Sequence, residues 1–279
     1  MRSTRPARAA LRLAAGYFAL SVAWILLSDR LASRLAFGNE EAERYLQSVK
    51  GLGFVALTSG VLFFVALRYL RRAEDTTVRL RLAYDETLAG WASALDIRDR
   101  STSEHTERVT SRTVELARRF GFEGRALDDV RRGATLHDIG KMGVPDDILG
   151  KKGPLTDDEW VVMRRHPELA VQMLQGIDYL RAALAIPRCH HEKWDGTGYP
   201  AGLVRDQIPI EARLFAVVDV YDAITSVRPY RHPMSPEEAR GTVLDGAGTH
   251  FDPAVVEAFL ELLEAEDELE QGRGPATPQ

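Results

Sequence analysis

The chain of 279 residues is 45% hydrophobic and 28% charged, ordinary proportions for a globular protein, which excludes disordered, collagen-like and repeat-fibre classes. Its single cysteine, Cys189, excludes a disulfide framework and a thiolate zinc site and suits a reducing compartment. The net charge of −5 conceals an asymmetry: residues 1–72 hold 11 Lys/Arg against 4 Asp/Glu, and the other 207 hold 25 against 37. So acidic a body is a poor partner for nucleic acid, because that affinity rests on neutralising phosphates.

Leu13–Leu27 carries no charge, and Gly51–Leu67 is a second uncharged run of 17 residues. A spanning helix takes roughly 17–25 apolar residues. Residues 1–72 therefore read as a membrane anchor, with helices at about 9–28 and 51–68 joined by a short external loop over 29–50. No small-residue cleavage site follows Leu27, where the chain runs Ser28-Asp29-Arg30, so a cleaved signal peptide fits less well. Arg2, Arg5, Arg8 and Arg12 precede the first run, Arg68, Arg71 and Arg72 follow the second, and Asp29, Glu40, Glu41 and Glu43 sit between. Positive-inside counting puts both termini in the cytoplasm, with membrane lipid as one partner. The segment from Trp24 through Asp29 and Arg30 to Lys50-Gly51 resembles a two-span module at the head of many bacterial membrane signalling proteins.

Residues 73–90 read as a juxtamembrane helix. Leu80, Tyr84, Leu88, Trp91 and Leu95 form one apolar stripe, which either packs on its own domain or pairs with a second copy in a homodimer. The rest reads as all-α. Helices are expected over Ser103–Phe120 and Ala126–Ile139, each closed by a glycine. Thr156-Asp157-Asp158-Glu159 is a capping box, and Ser235-Pro236 and Asp252-Pro253 pair a capping side chain with proline at the first helical position. Ile210–Ser226 suits a helix better than a strand by its length. Residues 264–279, acidic and then rich in Gly and Pro, suggest a disordered tail.

Histidines and aspartates then fall at separated stations: His105, His137-Asp138 after 32 residues, His166 after 29, His190-His191 after 24 and Asp219 after 28. Each station is expected on its own helix, feeding one buried centre. Any one of these histidines could be a hydrogen-bonded core residue, but two adjacent pairs are hard to explain that way. Imidazole and carboxylate without thiolate suit iron, manganese or similar ions.

His137-Asp138-Ile139-Gly140-Lys141 resembles the metal motif of the HD superfamily, and His190-His191-Glu192-Lys193-Trp194-Asp195-Gly196-Thr197-Gly198-Tyr199-Pro200 resembles the segment that names its HD-GYP subfamily. The similarity continues through Pro145–Leu149, His166-Pro167, Asp219–Ala223, Arg228–Arg231 and Phe251–Pro253, so the domain is expected over 91–263. The resemblance implies an all-helical, metal-dependent phosphodiesterase that hydrolyses cyclic di-GMP to linear pGpG or GMP in bacterial signalling, with signalling proteins as further partners. It also implies that Lys141, Tyr199, Arg228 and Arg231 contact the ligand; the family often has Lys where Arg231 stands. Two alternatives stay open: an HD phosphohydrolase for another cyclic dinucleotide or nucleotide, and a non-enzymatic nucleotide- or partner-binding module.

The residues make chemical sense of this. Two ions about 3.5–4 Å apart can hold a hydroxide for in-line attack on phosphorus. Asp138 is the natural bridge, since a carboxylate can ligate two ions. His105, His137 and Asp219 would complete one ion, and His166, His190 and His191 the other. Asp138 and Lys141 carry the catalysis in this reading, and Asp222 either orients a ligating histidine or caps a loop. Some family members hold a third ion with a glutamate four residues before the first histidine. Here that position is Ser101, so two divalent ions are expected.

Overall fold

The computed structural model describes residues 5–37, 39–99, 103–226 and 232–272. The chain divides into two compact units, Met1–Leu80 and Arg81–Gln279. Among the described residues all regular structure is helical, apart from one isolated bridge between Ala247 and Phe251.

The first unit pairs α1 (Arg5–Leu35) with the beginning of α2 (Glu40–Asp99). Both helices are long and apolar enough to cross a membrane, and neither apolar stretch is buried. Residues 29–50, expected as a loop, are helical except at the reversal between Leu35 and Glu40. Asn39 makes so short a reversal workable, because its Oδ1 accepts from the amides of Glu41 (3.0 Å) and Ala42 (3.1 Å) and caps α2. Trp24 stacks on Phe54, Lys50 pairs with Asp29, and the Ser33 hydroxyl donates to Glu43.

In the second unit, the end of α2 is followed by α3 (Ser103–Arg119), α4 (Gly124–Thr135), a 3-10 turn at Ile139–Gly143, and α5 (Asp146–Leu149). Then come α6 (Asp157–Met163), α7 (His166–Leu174), α8 (Ala185–Cys189), α9 (Ile210–Thr225), α10 (Pro236–Asp245) and α11 (Pro253–Gly272). The capping boxes at Thr156 and Ser235 are both formed, and Asp252 accepts from the Ala254 amide at 3.0 Å. Apolar faces of α3, α4, α9 and α11 meet around Val109, Leu116, Val130, Phe215, Val255 and Phe259, all buried. Each such side chain contributes roughly 1.5–3 kcal/mol by leaving water. A second cluster joins Leu88 of α2 to Leu136, Ile139, Ala170 and Leu174, so α2, the His137-Asp138 turn and α7 pack together.

Three local expectations change. The stripe on α2 splits, with Leu88 and Leu95 buried in their own unit and Leu80, Tyr84 and Trp91 exposed. Helix α4 ends at Thr135 rather than Ile139, so His137 and Asp138 stand in a turn; there the His137 ring can donate back to the Ala134 carbonyl. Helix α11 continues to Gly272, where a disordered tail was expected from residue 264. Its acidic residues are not simply solvated: Glu266 pairs with Arg112 of α3 at 3.3 Å and Asp267 with Arg240 of α10 at 2.6 Å.

Candidate metal centre

The stations converge. Asp138, His166, His190 and His191 form one donor group, and His105, His137 and Asp219 another, with the donor atoms of each within 4.8 Å of one another. Asp138 faces both groups. Its Oδ1 lies 3.5 Å from His166 Nε2 and 3.8 Å from His190 Nε2, while its Oδ2 lies 3.1 Å from His137 Nε2. In the second group His105 Nε2 is 3.5 Å from Asp219 Oδ1.

Local structure sets the ring orientations. The Nδ1 of His137 meets the Ala134 carbonyl at 2.9 Å, that of His166 the Met163 carbonyl at 2.9 Å, and that of His190 the Ile186 carbonyl at 3.1 Å. A carbonyl can only accept, so each Nδ1 carries a proton and each Nε2 of a neutral ring presents a lone pair to the centre. His105 is held from farther away: its Nδ1 lies 2.7 Å from Asp222 Oδ2, and Asp222 in turn takes the fork of Arg108 at 2.7 and 3.0 Å. Asp222 thus orients a histidine of the cluster, one of the two roles open to it. Arg108 was not singled out from the sequence, although it lies three residues after His105 on the same helix face.

These contacts test whether a cation belongs here. His166 Nε2 and His190 Nε2 stand 3.3 Å apart, both buried, and with both Nδ1 atoms protonated no hydrogen remains between them. Two facing lone pairs with carboxylate oxygen nearby need a positive charge. Burial pushes His190 well below the usual imidazole range, His191 down to about 3, and His166 below its ordinary value, so burial favours the neutral form of all three rings. His137 behaves differently. Burial opposes its charge, but the adjacent Asp138 outweighs burial and raises it to about 9. Converging imidazole nitrogens and carboxylate oxygens without thiolate fit divalent ions with nitrogen and oxygen preference.

Around the cluster, Phe215 closes the apolar floor, 4.8 Å from the His137 ring and 5.9 Å from His190. The Lys141 ammonium lies 2.8 Å from Asp138 Oδ2 and 2.9 Å from Asp99 Oδ2. Burial works against that charge, yet the two carboxylates hold it well above the usual lysine range. Asp138 is held well below the carboxylate range, as Lys141 and His137 outweigh its burial. Tyr199 stacks on His191 with ring centroids 4.6 Å apart, and burial pushes its phenol up to about 12.

The loop carrying Tyr199 is built by backbone approach. Glu192 is buried and accepts from the amides of Ala201 (2.7 Å) and Leu203 (3.0 Å), and a Cβ at Gly198 would strike the backbone of Glu192 and Lys193. Asp195 accepts from the amide and hydroxyl of Thr197. His232 is exposed, and His250 stacks on Phe251 away from the cluster. Cys189 is buried. Ser101, Arg228 and Arg231 lie outside the described residues.

Comparison with known proteins adds four findings. A family model described as an HD domain matches residues 91–255. A cyclic di-GMP phosphodiesterase of Vibrio cholerae is 34% identical over 83% of this chain and 49% of its own length. A 3′3′-cGAMP-specific phosphodiesterase from the same organism is 38% identical over 66% of this chain and 36% of its own. Among solved structures, a cyclic GMP-AMP-specific phosphodiesterase of Vibrio cholerae covers 64% of this chain and 48% of its own, with a TM-score of 0.51 and 18% identity. The chain thus spans about half or less of the length of these curated relatives.

Proposed function

Because this chain belongs to the HD domain family, as the match over residues 91–255 shows, we propose that it is a metal-dependent phosphodiesterase for cyclic di-GMP, anchored in a bacterial inner membrane by residues 1–72. The observation that carries the reading is Asp138: one oxygen faces His166 and His190 while the other faces His137, as a carboxylate shared between two ions requires. His105, His137 and Asp219 would hold one ion, and His166, His190 and His191 the other. Iron or manganese suits these donors. When bound, such a pair supplies an acidified water and neutralises charge on the phosphoryl oxygens.

The chain's own residues do the rest. The backbone carbonyls and Asp222 keep these imidazoles turned inward, as ligands for the ions would need to be. Phe215 and the apolar floor exclude water from one side. Lys141 places a fixed positive charge beside Asp138, where a phosphate oxygen of the substrate can exchange for one of its carboxylate partners. Tyr199 lies over His191 and is a hydrogen-bond donor at neutral pH. Arg228 and Arg231 complete the substrate contacts in this proposal. Two ions rather than three are supported by the remaining acids: Glu104 is exposed and turned to Arg108 at 3.8 Å, and Asp99 is engaged with Lys141.

The test is product analysis of the full chain in detergent, loaded with iron or manganese, against cyclic di-GMP, 3′3′-cGAMP and nucleoside triphosphates. Release of pGpG or GMP, fastest from cyclic di-GMP, is expected. Preference for 3′3′-cGAMP would favour a second reading, which the relative 38% identical to this chain motivates. Binding without turnover would leave a non-enzymatic module.

A further inference from the structure

The position of Lys141 is secured by more than the short element that carries it. Ile139–Gly143 is a single 3-10 turn followed by Val144, Pro145 and the four-residue α5. The Val144 amide closes this turn on the Lys141 carbonyl at 3.0 Å, and the carbonyls at and just beyond its end are also met from elsewhere in the chain, by Arg98 at the last turn of α2. Arg98 Nη1 donates to the carbonyls of Lys141 (3.2 Å) and Met142 (2.8 Å), Nη2 to that of Val144 (2.7 Å), and Nε to Asp146 Oδ1 (2.8 Å). A planar guanidinium can serve this many acceptors at once, and a lysine ammonium cannot. The next residue, Asp99, takes the Lys141 ammonium itself.

The same stretch of α2 is also attached fourteen residues earlier, where Asp85 receives Arg132 of α4 at 2.8 Å and the Tyr179 hydroxyl at 2.7 Å. Between the two attachments α2 borders a cavity of about 740 Å³, whose other walls include Thr106 and Thr110 of α3 and Thr135 of α4. One side of this stretch faces that space while Leu88 and Leu95 are buried in the domain, and its last turn reaches the Lys141 turn through Arg98.

We infer that Arg98 is a positioning residue for Lys141, and that through it the end of α2 sets the activity of the centre without touching the metal-binding histidines. The inference rests on the phosphodiesterase reading for its kinetic readout only. The experiment uses the full chain in detergent with Arg98→Ala and Arg98→Lys. Metal content should stay at the wild-type level, while amide exchange across residues 139–149 quickens in both variants. Turnover of cyclic di-GMP should fall by about tenfold to a hundredfold, the order expected from a misplacement near 1 Å, mainly in kcat. In a Lys141→Ala background, Arg98→Ala should add no further loss, because the two act as one unit.

Unchanged exchange across 139–149, loss of metal, or losses that simply add would overturn the inference. Should Arg98→Ala fail to fold, Arg98→Lys keeps the charge and removes the fork, and native exchange in that variant would refute it. If the wild type turns over no cyclic dinucleotide, the functional reading fails by itself, and the exchange result alone then decides for or against Arg98.

Discussion

Truncating Asp138 removes both oxygens that look toward the two donor groups, whereas truncating Asp222 removes only the acceptor that orients His105. The two losses should therefore differ in kind. Asp138→Ala is expected to abolish turnover and lower metal content, and a variant with full metal occupancy and near-normal activity would contradict the shared-carboxylate arrangement. Asp222→Ala is expected to weaken metal affinity by about tenfold to a hundredfold, the usual consequence of losing a ligand's hydrogen-bond partner, as read by metal titration. Lys141→Ala should keep its metal and lose turnover, because Lys141 offers a positive charge rather than a lone pair.

Helix α7 reaches the centre by lying against the 3-10 turn at Gly140. A Cβ there would collide with the His166 carbonyl and the Ala170 amide, both backbone atoms that cannot swing aside. Gly140→Ala should push α7, and His166 with it, away from Asp138, costing about 1–3 kcal/mol by overpacking and reducing metal uptake; a thermal melt and metal analysis together check this. The attachment of α2 to α4 depends on pH. Although partial burial works against its charge, Asp85 is held below its ordinary value of 3.8 by Arg132 and Tyr179. Its folded-state pKa is depressed, so its contribution is complete above that ordinary value and is lost as pH falls through the folded one. The stability gap between wild type and Asp85→Asn should be full at about pH 6 and shrink below about pH 4, and a gap independent of pH would refute the ion pair.

Two helices with long unburied apolar stretches and a flanking excess of arginine lead to a location for the whole chain. Fractionation should recover it in the inner membrane, with residues 73–279 on the cytoplasmic side. Labelling of Trp194 by an impermeant reagent from outside intact spheroplasts would reverse that topology. Metal analysis of the same preparation should find two ions per chain; three fully occupied ions would mean that Asp99 or Glu104 gives up its basic partner to ligate.

Much was legible without coordinates because the signals are local. Capping boxes at Thr156 and Ser235 lie within four consecutive residues, and the all-helical class follows from such caps and from 3.6-residue periodicity. The donor types of the centre, imidazole and carboxylate without thiolate, are likewise written in short segments around His137 and His190. What the tertiary structure decided is which atoms meet. Asp222 meets both His105 and Arg108 across more than a hundred residues of chain, and Arg98 meets the Lys141 turn across more than forty. The same holds for the acidic residues Glu266 and Asp267 of α11, whose partners Arg112 and Arg240 lie on α3 and α10. Such pairings have no signature in either segment alone, because a charged side chain on an exposed helix face looks the same in sequence whether it meets water or an opposite charge from a distant helix.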